Sequence, residues 1–217
     1  MKIKWYGHSA FGITTGGGVH ICTDPYVTGC YDGAIGYGPI GDACDVVVQS
    51  HDHPDHAGAS EVPGEPVLVR GSGEHNVKGV TFVGTPTFHD ESGGSERGEN
   101  TVFTFESEGV KVAFLGDLGH VLSDEQVKAI GPVDVLLTPV GGHFTVDAAA
   151  ATKVAEQLQA KVVIPMHYKT DACGFPIAGV DEFLAGKANV ERPGAAEVEI
   201  TAADVENPRV IVLDYVK

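Results

Sequence analysis

Basic residues are scarce in this chain. Fourteen lysines and arginines stand against thirty aspartates and glutamates among 217 residues, a formal charge of -16. Polyanions and anionic bilayers recruit proteins through many basic contacts, so this balance argues against nucleic acid and membrane surfaces as partners. It leaves room for a small anion held at a locally positive site. No run approaches the ~18 apolar residues a membrane helix needs, and Met1-Lys2-Ile3-Lys4-Trp5-Tyr6 carries no apolar leader after its lysines. The four cysteines, at 22, 30, 44 and 173, include no Cys-x-x-Cys pair. That argues against a disulfide framework and points to a cytoplasmic protein. Internal repeats, linkers and charge shifts are also missing, so residues 1–217 read as a single domain; homo-oligomerisation stays open.

Apolar residues are plentiful, at 42%, and support a sizeable core. Short strands are predicted at 2–6, 9–14, 19–23, 45–50, 67–69 and 80–83, then at 101–106, 110–115, 133–137, 162–164, 197–200 and 210–214. The Glu108-Gly109 pair reads as a hairpin turn, and Pro165 as the end of its strand. Ser123-Asp124-Glu125-Gln126 is a capping box that opens a short helix closed by Gly131-Pro132. An alanine-rich helix is predicted over 146–159 with Thr145 as N-cap, and a helical turn near 181–184. Residues 26–43 and 90–99 read as long loops. Hairpins followed by strand–helix units predict an α/β fold with two sheets and outer helices.

One segment carries most of the chemistry. His51-Asp52-His53-Pro54-Asp55-His56 packs three imidazoles and two carboxylates into six residues, directly after an apolar strand. Solvated loops have no reason to concentrate histidine this way, whereas a borderline-soft divalent cation needs such donors. Six residues cannot enclose a metal, so later strand ends must complete the site. His89, Asp117 and His167 are the candidates, each just beyond an apolar strand.

The run Asp45–Gly58, "DVVVQSHDHPDHAG", resembles the His-x-His-x-Asp-His signature of the metallo-β-lactamase superfamily. "WYGHSAF", "GDLGH" and "IPMHY" resemble its branch of small bacterial metal-dependent hydrolases related to the ascorbate-6-phosphate lactonase. The likeness covers about residues 1–170. It implies a four-layer αββα sandwich of two mixed β-sheets flanked by helices. It also implies two divalent metal ions, zinc first, with manganese or iron as alternatives. One ion would take His51, His53 and His89, the other Asp55, His56 and His167, with Asp117 bridging. Asp24 falls where the family places an aspartate that braces the motif loop; His8 is a second brace or a wall residue.

A metal-activated hydroxide would attack carbonyl carbon or phosphorus while the metal takes the oxyanion charge. Asp55 would orient the nucleophile, and His120 is a candidate general acid for the leaving group. Arg97 and Lys169 are candidates for holding a substrate anion, Arg97 equally for pairing within its loop, and His143 for lining the pocket. The expected activity is hydrolysis of a small anionic ester, lactone or phosphoester. The alternatives are a nuclease or phosphodiesterase acting on nucleic acid and a non-hydrolytic di-metal protein.

Overall fold

The structure is a computed structural model that describes residues 1–217. The chain runs β1 (Lys2–Gly7), β2 (Ala10–Thr14), β3 (His20–Thr23), β4 (Val46–Gln49), β5 (Val67–Arg70), β6 (Gly73–Val77), β7 (Val80–Phe88), β8 (Glu99–Ser107), β9 (Val110–Phe114), α1 (Asp124–Ile130), β10 (Val135–Pro139), α2 (Ala148–Gln157), β11 (Val162–Met166), α3 (Val180–Leu184), β12 (Val190–Glu191), β13 (Glu197–Glu199) and β14 (Arg209–Ile211). Two sheets form, in the orders β13-β1-β2-β3-β4-β5 and β12-β14-β11-β10-β9-β8-β7-β6. Both are mixed. β1–β3 and β6–β9 pair antiparallel, while β3–β5 and β9–β10–β11–β14–β12 pair parallel.

Alternation along the strands of the first sheet sorts side chains to two faces. Ile3, Trp5, Phe11, Ile13, Ile21, Val46 and Val48 join the large core that includes Phe82, Phe103, Phe105 and Phe114. Tyr6, Ala10, Cys22 and Val47 point the other way, into a separate buried cluster with Tyr26, Ile35, Tyr37, Cys173 and Ile177. The outer face of this sheet is thus covered by the 26–43 loop and the 172–177 segment. A bridge between Ile35 and Cys173 pins those two together. The helices serve the second sheet: α1 packs near β7 and α2 against β10, with α3 on α2. Every residue of β10 and β11 is buried, as central parallel strands covered on both faces require.

Local signals explain most element ends. Ser123 and Gln126 cap α1 reciprocally, and Gly131, at φ 69°, ends it. Glu108 and Gly109 both lie at positive φ, 56° and 73°, the two-residue turn whose twist suits a hairpin. The long helix differs from expectation. It begins at Ala148 with Asp147 as N-cap, whose carboxylate accepts from Ala150 N–H at 2.8 Å. Thr145 instead turns its hydroxyl to the Val146 carbonyl. Pro165 lies inside β11, not at its end. β14 pairs only with Val162 and Val163, so beyond them β11 has a free side that a residue without N–H can occupy. β6 and β12 were not foreseen; β6 has no fully buried residue and is held mainly by its backbone pairing with β7, with only Val77 packed against the core. No helix is long and apolar enough to cross a membrane.

Chain ends of several strands meet on one edge. Asp24 follows β3, the 51–56 run follows β4, His89 follows β7, Asp117 follows β9 and His167 follows β11. Gly119 sets one spacing: its N–H donates to Phe88 O at 2.9 Å, and a methyl there would collide with the backbone of His89 and Asp90. Gly119→Ala is expected to cost ~1–3 kcal/mol in urea or thermal melts as that segment is pushed away. Gly38→Ala, which meets nothing within 4 Å, should stay within ~0.5 kcal/mol of the parent.

Candidate metal centre

A buried carboxylate organises the histidine-rich turn. Asp24 Oδ1 accepts from Ser50 N–H at 2.7 Å, and Oδ2 accepts from Ser50 Oγ at 2.5 Å and His56 Nδ1 at 2.8 Å. With its own proton given to Asp24, Ser50 Oγ accepts from His51 Nδ1 at 2.8 Å. Both Nδ1 atoms are therefore protonated and both Nε2 atoms face inward. This is how a metal-binding imidazole is usually fixed. Asp117 is set from the other sheet. Its N–H donates to Asn100 Oδ1 at 3.0 Å, while Asn100 Nδ2 donates to Leu115 O and Thr87 Oγ1 at 2.9 and 2.8 Å.

Asp117 Oδ2 is where the elements converge. It lies 3.1 Å from His56 Nε2, 3.2 Å from His89 Nε2, 3.5 Å from His167 Nε2 and 3.9 Å from His51 Nε2. Two donor sets flank it: His51, His53 and His89 on one side, and His8, Asp55, His56 and His167 on the other. Seven residues predicted as ligands, from four segments, are thus brought together, with His8 beside them. His56 Nε2, both His167 nitrogens, Asp55 Oδ1 and Asp117 Oδ1 are buried yet form no hydrogen bond. Buried nitrogen and oxygen atoms gathered this closely, several of them without a hydrogen-bond partner, fit a divalent cation held among them.

Charge balance says the same. Burial disfavours the charged forms of Asp117 and Asp55, yet both carboxyls are held down, Asp117 by His167 and His56 and Asp55 mainly by His56. Burial likewise opposes a charge on His56, but Asp117 and Asp55 push its pKa well up. The two carboxylates demand a cation between them, and in its absence His56 serves. Burial, aided by the charge on His56, takes His51 down to about 2; burial and His167 take His8 to about 4. These two rings keep free lone pairs at neutral pH. Burial alone raises Asp24, against the pull of its His56 and Ser50 bonds.

Beside His51 and His53 opens a cavity of about 540 Å³, lined also by Arg70, Arg97, Glu99 and Thr101. Arg97 belongs to a loop built around Asp90, whose carboxylate accepts the N–H groups of Ser92, Gly94, Glu96 and Arg97. Against a burial cost, those bonds bring Asp90 to about 2. The Arg97 guanidinium sits 3.8 Å from Glu96 and 6.0 Å from the Phe144 ring centre. Arg70, with a guanidinium nitrogen 3.3 Å from Asp52, was not foreseen as a site residue, nor were Ser50, Asp90 and Asn100. Ser50 directly precedes the motif and is the one a sequence reader could have found.

Other expected residues fall elsewhere. His120 accepts from Phe88 N–H through Nε2 and donates to Val121 O through Nδ1, at 3.2 and 2.9 Å. Its ring is spent on backbone and lines a different recess, with Thr85, Phe88 and Gln126, which leaves it no nitrogen for a general acid. Lys169 Nζ donates to Phe175 O at 2.9 Å and ties its own loop. His143 is exposed on the rim, its ring against Phe144 and in one recess with Arg97. His8 is fully buried with Nε2 2.9 Å from Asp55 Oδ2.

The sequence profile of the beta-lactamase superfamily domain matches residues 2–167, the span that contains every donor named above. The chain belongs to the metallo-β-lactamase superfamily. A protein of Thermotoga maritima classed as a Zn-dependent hydrolase of that superfamily shares 39% identity over 99% of both chains, with TM-score 0.82. Igni18, a metallo hydrolase of Ignicoccus hospitalis, is 25% identical over 84% of this chain and 88% of its own, with TM-score 0.61. A metal-dependent hydrolase of Thermococcus onnurineus is 32% identical over 196 residues, 78% of this chain and 85% of its own. The two-sheet sandwich of the superfamily is therefore also the fold of this member.

Two outcomes follow from this network. Asp24→Asn puts an amide N–H against donors it must accept from, so metal affinity should fall roughly 10–100-fold in chelator competition. Second, with metal chelated, stability should drop as pH falls from about 6.5 toward 4. In that window the unfolded chain protonates histidines near 6.5 while folded His8 and His51, at about 4 and 2, stay neutral, so the unfolded state binds more protons. His56, raised when folded, is charged in both states there and does not offset the loss. Melts of the chelated protein at pH 7, 6 and 5 check this; a flat series would contradict it.

Proposed function

We propose that this chain is a metal-dependent hydrolase with two metal positions acting on a small, anionic ester, lactone or phosphoester. The observation that carries it is the convergence of four imidazoles from three segments on Asp117 Oδ2, within 3.1–3.9 Å, with Nε2 of His56 and of His167 buried and unpaired. His51, His53 and His89 would hold one ion, and Asp55, His56 and His167 the other, with Asp117 shared. Imidazole and carboxylate donors suit zinc, manganese and iron. Bound there, divalent metal would supply Lewis acidity and bring the pKa of a coordinated water toward neutrality.

The protein's own residues do the rest. Asp24 and Ser50 fix the histidine tautomers, and Asn100 fixes the Asp117 backbone. Arg70 and Arg97 border the cavity beside His51 and His53 and would hold an anionic group of the substrate through charged hydrogen bonds. Two arginines and the metals make a locally positive spot on a strongly acidic molecule, enough for a small anion. A nucleic-acid chain needs a longer run of basic contacts than this rim offers. The cytoplasm, where cysteines stay reduced, suits four free thiols.

The test is elemental analysis and a hydrolysis panel on the same preparation: a lactone, an aryl phosphodiester, a thioester, a β-lactam and short RNA. About two transition metals per chain are expected, with at least one small ester turned over. Asp117→Ala should lose metal and roughly 10³-fold or more in rate while keeping a cooperative melt, since a metal centre supplies several kcal/mol to the barrier. Arg97→Ala should raise KM about tenfold with kcat little changed, as for uniform binding. RNA cleaved at least as well as every small compound would overturn the small-substrate reading.

A further inference from the structure

We propose that His8, on the turn between β1 and β2, is a direct fourth protein ligand of the metal position formed by Asp55, His56 and His167. The proposal rests on the reading of that cluster as a metal centre.

The backbone holds His8 in an unusual posture. Its φ is 51°, a left-handed conformation that non-glycine residues adopt at a cost of ~1–3 kcal/mol. The Trp5 indole N–H and the His167 N–H both donate to its carbonyl, at 3.0 and 3.1 Å. His167 is itself left-handed, at φ 50°. Two strained histidines are thus bonded to one another, and their rings lie 4.1 Å apart. The His8 ring is also 5.2 Å from His56 and is flanked by Phe175 at 5.9 Å. Strain of this kind persists where the surroundings need the side chain in one place.

The donor atoms of His8, Asp55, His56 and His167 all lie within 4.8 Å of one another, and all four residues are buried. His8 Nε2 is 2.9 Å from Asp55 Oδ2, which is 3.5 Å from His56 Nε2. With metal–ligand bonds of ~2.1 Å, neighbouring ligands stand roughly 3.0 Å apart at right angles and roughly 3.4 Å apart in a tetrahedron. A residue that only braced Asp55 would bond the oxygen turned away from the ion. His8 instead meets Oδ2, the oxygen that faces His56, while Asp55 Oδ1 is buried with no partner. Nor does any hydrogen bond lock the ring from behind, because Nδ1 is also without a partner. The proton on Nε2 can move to Nδ1 and leave the inward lone pair free.

Counted this way the two positions differ. His51, His53, His89 and Asp117 make four protein donors, the number tetrahedral zinc takes. His8, Asp55, His56, His167 and shared Asp117 make five, and one solvent ligand would complete the six that manganese and iron accept.

The decisive measurement is long-range 1H–15N NMR of the imidazoles in the intact chain, without and with zinc. The proton of His8 should move from Nε2 to Nδ1 on loading, with the Nε2 shift of a coordinated nitrogen. An Nε2–H that persists in the loaded protein would overturn the proposal and leave His8 a brace. Variants give the second readout. His8→Gln keeps an N–H that can reach Asp55, and His8→Phe keeps a ring between His167 and Phe175; chelated melts check that both fold. Both should bind one ion as the parent does and the second more weakly, by more than the roughly 10–100-fold that loss of a ligand's hydrogen-bond partner costs. In cobalt titrations the second ion should absorb more strongly, as lower coordination number dictates. His8→Gln with two ions at parental affinity would overturn the proposal alone. A parent chain that takes up no metal would overturn the underlying reading and the proposal with it.

Discussion

The constraint on which this molecule turns is the burial of two carboxylates, Asp55 and Asp117, in the seam between the sheets. Removing such a charge from water costs several kcal/mol even after relaxation. Nothing apolar nearby can offset that; only positive charge can. Without metal, His56 takes a proton and stands between the two, 3.1 Å from one and 3.5 Å from the other. A divalent cation does the same work with more charge and more partners. Burial holds the His8 and His51 rings neutral, which leaves them able to bind.

Holding such a cluster strains the backbone. His8, Asp24 and His167 all sit at positive φ, and Gly116, Gly119 and Gly141 pass so close to neighbouring atoms that a Cβ would collide. The two sheets supply the rigidity that tolerates this. Strands β4, β10 and β11 are buried on every residue and paired in register, so their ends are delivered to the same edge with little freedom. Chain ends carry the ligands, and the sheets fix the distances between them.

In the proposed function, the acidic surface and the arginine-bordered cavity would divide the work of selection. A charge of -16 repels long polyanions over the distance of a Debye length, ~10 Å at moderate salt. Inside that range Arg70, Arg97 and bound metal would supply the positive charge of the proposed site. The loop that carries Arg97 is held by one carboxylate, Asp90, through four backbone N–H groups. That makes the position of Arg97 a property of the loop's backbone.

Much of this was legible in the residues alone. Strand-ending histidines and aspartates announced a metal centre because no other demand concentrates those side chains at that spacing. Alternating apolar residues gave away most strands, and Ser123 with Gln126 the cap of a helix. Other features depended on contacts between distant segments. β6 has no apolar face to betray it, and Pro165 is tolerated in β11 only because β14 stops short of it. Asp147 displaced Thr145 as helix cap through a local competition that propensity does not resolve. His120 resembled a general acid until the Phe88 N–H, 32 positions away, claimed its ring. Asn100, Arg70 and Asp90 carry no motif of their own. By itself the sequence determined which chemistry the chain can support, because ligand types are written in side chains. Only the tertiary structure decided which side chains meet and which oxygen of Asp55 faces His8, because those are distances, and distances belong to the packed sheets.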